Sequence, residues 1–588
     1  MMYGNTSAVR ITRVLLMLLI TLTLAGCGQG RVAAPGNATP VPVATTLSSA
    51  ARETAPAPNT PSQTRPTQGQ VAPPDQQLFR VQIGEPSSID PLQDMNTSQE
   101  AVILQLFAML TRFDQNLTVV PGVAERWEYN TDQTQITFHL RTSTWSDGQP
   151  VTAEDFAYSW RRFLDPRNRA PYVSLLTDVI RGATELNQTA ISDATAVEHA
   201  LTNLGVRALD ERTLQVDFVR PTPYFPSIVA LGVMAPVRHD IVDQHGERWA
   251  EPGTLIGNGP FTLKQWTKGS EMTLAANPTY YAGAPTLQTL VFKFIIDDAI
   301  AYANYQADEI DLAGVPPTEI PAVRARFPRE IHEGRQLATE FYTLNVTQPP
   351  FNDARVRRAL ALAINRTAIT DQLLGGLHTP AYSLIPPGMP GHLTREEAGD
   401  AAQVYNPEQA RKLLAEAGYP NGQGFPATRV VYNNWAGNDM IVQRIQADLQ
   451  NTLSITVQLD SRESTTYFND IQSNPPPFFR GSWVADFPDP VNWDRMVFGP
   501  GSSMNFGRWE NAEFSRLLTQ ADQSSDPDQR IALYKQAEQV LAKDAGAVFL
   551  YWYGSLWLVK PWVSGITSTA KDPSFGAFFY KDVQILAH

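Results

Sequence analysis

Polar and apolar side chains alternate over residues 135–140, the period of a half-buried β-strand. The same kind of reading predicts strands over 78–83, 213–218, 261–266, 271–275 and 290–296, and aromatic-rich strands over 548–553 and 556–559. Helical spacing of apolar residues predicts helices over 99–110, 354–364, 441–449 and 528–543. Thr152 is placed to cap a helix presenting Phe156, Tyr158, Trp160 and Phe163, with Glu154 and Asp155 in its positive first turn. Asn352-Asp353 and Asn406-Pro407 are further helix starts, and Gly418 is a stop. Asp147-Gly148 and Asn258-Gly259-Pro260 are turn signals. Strands and helices interleave without internal repeat, an α/β pattern. At 588 residues the chain is too long for one core and divides into two or three domains.

The N-terminus breaks this pattern. Residues 14–24 are an uncharged apolar run behind Arg10 and Arg13, shorter than the roughly 20 residues needed to span a bilayer. It ends in Leu24-Ala25-Gly26-Cys27, and Cys27 is the only cysteine of the chain. A small-residue site ending on cysteine resembles the lipobox of bacterial lipoproteins, which implies a signal peptide over 1–26 and a lipid anchor on Cys27. An ordinary signal peptide that happens to contain a cysteine is the alternative. Residues 27–77 are rich in Pro, Thr, Ala, Ser and Gln and poor in large apolar side chains, so they are expected to form a disordered tether.

With 43% hydrophobic and 18% charged residues, the remainder has the balance of a protein with large cores. The net charge of −13 argues against nucleic acid as a partner. With the one cysteine spent on the anchor, no disulfide or thiolate metal site is expected. The sequence contains no His-Glu-x-x-His, no Gly-x-Ser-x-Gly and no phosphate-binding Gly-x-x-x-x-Gly-Lys. The carboxylate pairs Glu154-Asp155 and Asp297-Asp298 are sequence neighbours, better explained as helix caps than as acid/base couples. No catalysis, cofactor or metal is expected.

One stretch carries more. WSDGQPVTAEDFAYSWRRFLDP, residues 145–166, resembles the signature of the extracellular solute-binding protein family 5, the oligopeptide- and dipeptide-binding proteins of ABC importers. The similarity continues through PGVAERW (121–127), PTPYF (221–225), IGNGPFTLKQW (256–266), NPTYY (277–281), PPFNDARVRRALALAINR (349–366), ARKLLAEAGY (410–419) and LVKPWV (558–563). It covers about residues 78–588. Most of these blocks have plain structural roles as turns, caps and packing helices. The resemblance implies a bilobal, periplasmic-binding-protein-like α/β fold of the cluster with an extra domain. Lobe I would be built from 78–107, 237–337 and 554–588, the extra domain from 108–236, and lobe II from 338–553, with strands crossing a hinge that closes over the ligand.

The site residues also come from the resemblance. In residues 480–487, Asp486 matches the aspartate that pairs with a ligand's α-ammonium group; its alternative role is to organise a turn before Phe487-Pro488. Trp483 and Val484 would line the cleft, and Arg480 would meet ligand carboxylates or sit in a surface ion pair. Tyr172 matches a ligand-contacting tyrosine of the extra domain. Residues 339–345, with Thr339, Phe341, Tyr342 and Asn345, resemble a crossing strand whose main chain bonds extended peptide. Tyr551, Trp552 and Tyr553 match an aromatic triplet at the second crossing, with a core strand as the alternative. Asn96 lies in a loop that would touch ligand backbone. Val484 stands where well-studied oligopeptide binders have cysteine, and Ser464 near a tryptophan position, which leaves peptide length and preference open.

The expectation is therefore a monomeric, lipid-anchored receptor at the outer face of the cytoplasmic membrane. It would bind oligopeptides in an interlobe cleft and deliver them to an ABC permease. The same fold holding a dipeptide, an oligosaccharide or a metal chelate is the first alternative; a surface hydrolase or an adhesin is the second.

Overall fold

The computed structural model describes residues 69–588 other than 94, 95, 436 and 573, within the compact unit Arg65–His588. Cys27, the signal segment and most of the tether lie outside the described residues. Among the described residues no helix is long and apolar enough to cross a membrane.

The expected caps form as the side-chain chemistry dictates. Asp155 accepts from the Thr152 amide at 2.7 Å and closes a capping box on helix Ala153–Leu164, which buries Phe156, Trp160 and Phe163. Asp353 accepts from the Arg355 amide at 2.8 Å to start Ala354–Ala363. Asn406 caps Pro407–Glu416, and Asp297 caps Asp298–Gln306. The helix expected to end at residue 110 runs Thr97–Leu106 instead. Its continuation is diverted because Asn258 grips Ala108 on both sides, accepting from its amide at 2.8 Å and donating to its carbonyl at 3.1 Å. Gly259 lets that loop come so near that a Cβ there would lie 2.5 Å from Phe107 N.

An eleven-stranded mixed sheet organises the body. One flank holds Phe261–Thr267, Glu271–Ala276, Thr289–Phe294, Leu78–Ile83 and Leu312–Gly314; the other holds Phe478–Val484, Thr428–Asn433 and Val457–Arg462. Two long antiparallel strands, Ile331–Leu344 and Ala547–Val559, lie between the flanks and join them. Their register breaks between Arg335 and Thr339: residues 331–335 pair near the first flank, and residues 339–343 pair beside Phe478–Val484. A separate four-stranded antiparallel sheet (Ala124–Tyr129, Gln135–Leu140, Thr213–Asp217, Val206–Asp210) packs against helix Ala153–Leu164.

Two expectations change. The aromatic strands expected at 548–553 and 556–559 are one continuous strand, Ala547–Val559. The folded body also begins before residue 78: Val71 bridges to Leu586, the Ala72 amide donates to Ile585 O at 2.8 Å, and buried Gln77 donates to both Ala72 O and Ile585 O. The last residues assigned to the tether are thus clasped by the C-terminus.

Candidate functional site

The strands Thr428–Asn433, Val457–Arg462 and Phe478–Val484 are parallel, so their carboxyl ends gather at one edge, the usual place for a ligand on an open α/β sheet. Asp486 lies two residues beyond the third of these strands. Tyr172 Oη donates to Asp486 Oδ2 across a sequence separation of 314 residues. Asn492, fully buried, donates to the same oxygen at 2.6 Å and accepts at Oδ1 from the Asp486 amide at 2.9 Å and from Trp483 Nε1 at 3.1 Å. Arg530 grips Asp489 with both fork nitrogens at 2.8 and 2.6 Å, tying this loop to helix Pro527–Asp544.

The Asp486 carboxylate is only partly exposed to solvent, and burial raises its pKa above the usual carboxylate range, against the bonds from Tyr172 and Asn492 and the charge of Lys571. Tyr172 stays a phenol because burial and the adjacent Asp486 charge both raise its pKa. Lys571 Nζ is bonded to Glu100 Oε1 at 3.2 Å. Among the described residues no cation bonds Asp486, so the carboxylate is held by neutral donors alone.

The strand Phe478–Val484 adds a second feature beside this carboxylate. Ladder bonding to Ile331–Leu344, continued by Ala485 N to Leu337 O at 2.8 Å, turns the main-chain groups of Ser482 and Val484 towards the other edge. On that edge the neighbouring strand pairs only at Val431 with Phe479. Gly481 is required here because a Cβ would lie 2.5 Å from the Phe341 ring. The site therefore joins a half-buried carboxylate to an open strand edge.

The other candidates divide. Trp483 packs half-buried beside Asn492, and Val484 is exposed. Arg480 is not free for a ligand carboxylate: it makes a bidentate, buried ion pair with Glu340 at 2.7 Å through both Nε and Nη2, and Tyr553 Oη donates to Glu340 at 2.7 Å. The main chain of residues 339–343 is occupied by ladders on both sides, whereas the main-chain groups of residues 482 and 484 face the sparsely paired edge. Thr339 Oγ1 is spent on Leu384 O at 2.7 Å, Phe341 packs on Phe498, and Tyr342 lies in the core against Phe478. Asn345 shapes a turn through Thr347 and Pro475. Asn96 is spent as the cap of Thr97–Leu106. Tyr551 stacks on His378, and buried Trp552 meets Tyr382 and His392 edge-on. Sequence reasoning missed Asn492, Glu340, Glu100 and Lys571; a lone glutamate inside the apolar run at 337–344 was the one available signal. Among the described residues no group of three or more His, Cys, Asp or Glu is placed to hold a metal.

The model of the bacterial extracellular solute-binding proteins, family 5, middle region, matches residues 118–505. Two relatives from Escherichia coli (strain K12) align along most of their length. The Probable deoxycholate-binding periplasmic protein YgiS is 33% identical, over 83% of this chain and 90% of its own. The Periplasmic oligopeptide-binding protein OppA is 34% identical, over 85% and 90%. Among solved structures, the Escherichia coli murein tripeptide binding protein MppA superposes with a TM-score of 0.74 at 29% identity, covering 87% of this chain and 99% of its own. Haemophilus influenzae OppA in complex with RPPGFSPFR gives 0.72 at 27%, covering 88% and 100%. This family and these neighbours are solute-binding proteins rather than enzymes. The chain belongs to the bacterial extracellular solute-binding proteins, family 5.

Proposed function

We propose that this protein is a lipid-anchored oligopeptide receptor of an ABC importer. Its ligand's α-ammonium group binds Asp486, and its extended main chain adds to the edge at Ser482 and Val484. The observation that carries this reading is the half-buried Asp486 carboxylate, held by Tyr172 and Asn492 and, among the described residues, bonded to no cation. Such a group gains most from a cationic partner delivered by the ligand. An acidic steroid would instead bring a third carboxylate beside Asp486 and Glu100. A lipid on Cys27 would hold the monomer at the outer face of the cytoplasmic membrane, where the loaded receptor meets its permease. The lobe boundaries at 337/338 and 553/554 are supported by the register break between Arg335 and Thr339.

Calorimetry with a tripeptide to pentapeptide series tests the reading. N-acetylation of the peptide and Asp486→Asn are each expected to weaken binding by about 2–5 kcal/mol, the scale for stripping one partner from a buried charge pair. Equal affinity for free and acetylated peptides would remove the ammonium anchor.

A further inference from the structure

Large exposed apolar side chains gather beside the open strand edge. Trp435, Phe468 and Val484 remain 51%, 39% and 54% exposed. Trp435 follows strand Thr428–Asn433, Phe468 stands in helix Ser464–Ser473 just after strand Val457–Arg462, and Val484 ends strand Phe478–Val484. All three therefore belong to the carboxyl edge at which these parallel strands finish.

Trp435 and Phe468 form one surface. Their ring centroids are 6.1 Å apart and their planes are inclined at 60°. The surface is held rigidly from below. Phe468 packs edge-on against buried Tyr467 at 5.4 Å, and Tyr467 Oη donates to the main-chain carbonyl of Arg480. The Arg480 guanidinium, fixed by Glu340, lies 5.6 Å from the centre of the Trp435 ring. An aromatic pair braced in this way but left open to water is the signature of an interaction surface rather than of core packing.

Its position says what it meets. The strand edge leads from Asp486 through Val484 to Ser482, a path of about 7–13 Å at about 3.3 Å per residue, which is the reach of a ligand's third to fifth residues. A ligand anchored by its ammonium group at Asp486 and extended along that edge carries its later side chains to Trp435 and Phe468. We propose that Trp435 and Phe468 form a specificity subsite that selects peptides with an aromatic or large aliphatic side chain at roughly the third to fifth residue. The inference rests on the peptide reading above and adds a sequence preference to it.

Calorimetry of the full chain tests it with four probes: pentaalanine and three pentapeptides of alanine with a single phenylalanine at position three, four or five. At least one phenylalanine peptide is expected to bind about tenfold tighter than pentaalanine, through ring contacts and apolar burial. Trp435→Ala and Phe468→Ala are expected to abolish that gain while leaving pentaalanine within about twofold of wild type, and Trp435→Phe, which keeps a ring, should retain most of it. A gain that survives both alanine substitutions, or no gain in the wild type, overturns the subsite while the peptide reading stands. A wild type that binds none of the four probes overturns the peptide reading and the subsite with it.

Discussion

At the scale of single residues, the buried pair of Arg480 and Glu340 separates stability from recognition. Both side chains are buried, and their two 2.7 Å bonds satisfy each charge. Removing one charge strands the other in a low-dielectric interior. Glu340→Gln is expected to destabilise the fold by about 3–5 kcal/mol, read as a shift of the urea midpoint, whereas Asp486→Asn should leave that midpoint nearly in place because its carboxylate has no charged partner to strand. An equal loss in the two variants would mean that Asp486 is structural. This pair also marks where sequence reading stops at residue scale. Asp486 and Tyr172 were legible through motif resemblance, and the structure joins them with a hydrogen bond. Arg480 was legible as an arginine but not as a neutralised one, since its partner lies 140 residues upstream on a different strand.

At the scale of elements, local chemistry was read well and long-range pairing was not. Caps such as Thr152 with Asp155 and Asp353 depend on three or four neighbouring residues, so the sequence displays them directly. The cap formed by Asn96 is not legible in the sequence, because its partners, the Ser98 and Gln99 amides, carry no side-chain signature. Residues 71–77 look like tether in the sequence because their partners are at the other end of the chain. The strand Ala547–Val559 looks like two in the sequence, since Gly554-Ser555 resembles a break. That glycine supports a prediction about pH. The Gly554 amide donates to His378 Nδ1 at 3.0 Å, and the His378 ring stacks on Tyr551 at 4.7 Å. Burial pushes the His378 pKa down to about 4 from the usual 6.5, so the folded state binds this proton less readily than the unfolded chain. Its contribution to stability is complete above pH 6.5 and is lost as pH falls towards 4. Chemical denaturation at pH 7, 6 and 5 should show wild type losing about 1–3 kcal/mol more than His378→Gln over that interval. Parallel pH profiles for the two proteins would contradict a neutral His378 at this crossing.

At the scale of the whole molecule, the same anionic character that disfavours nucleic acid acts on ligand capture. The chain carries a net charge of −13 and has a pI near 5.2, and the Asp486 carboxylate adds a local negative field at the proposed site. A negative receptor attracts cationic ligands over distances set by the Debye length, about 10 Å at 0.1 M salt and about 3 Å at 1 M. A short-range anchor at Asp486 is screened far less, because partly buried charges exchange little with the ionic atmosphere. Association rate and bound-state affinity should therefore respond differently to salt. Stopped-flow measurements with pentalysine and pentaalanine separate the two effects. Raising salt from about 0.02 to 0.5 M is expected to slow pentalysine association by about tenfold or more, while pentaalanine, whose N- and C-terminal charges cancel, changes by less than about twofold. Dissociation of both peptides should change little. If both association rates fell together, the salt effect would lie in the ammonium anchor itself and the global charge would play no part in capture. If neither fell, the acidity of this chain would serve solubility alone.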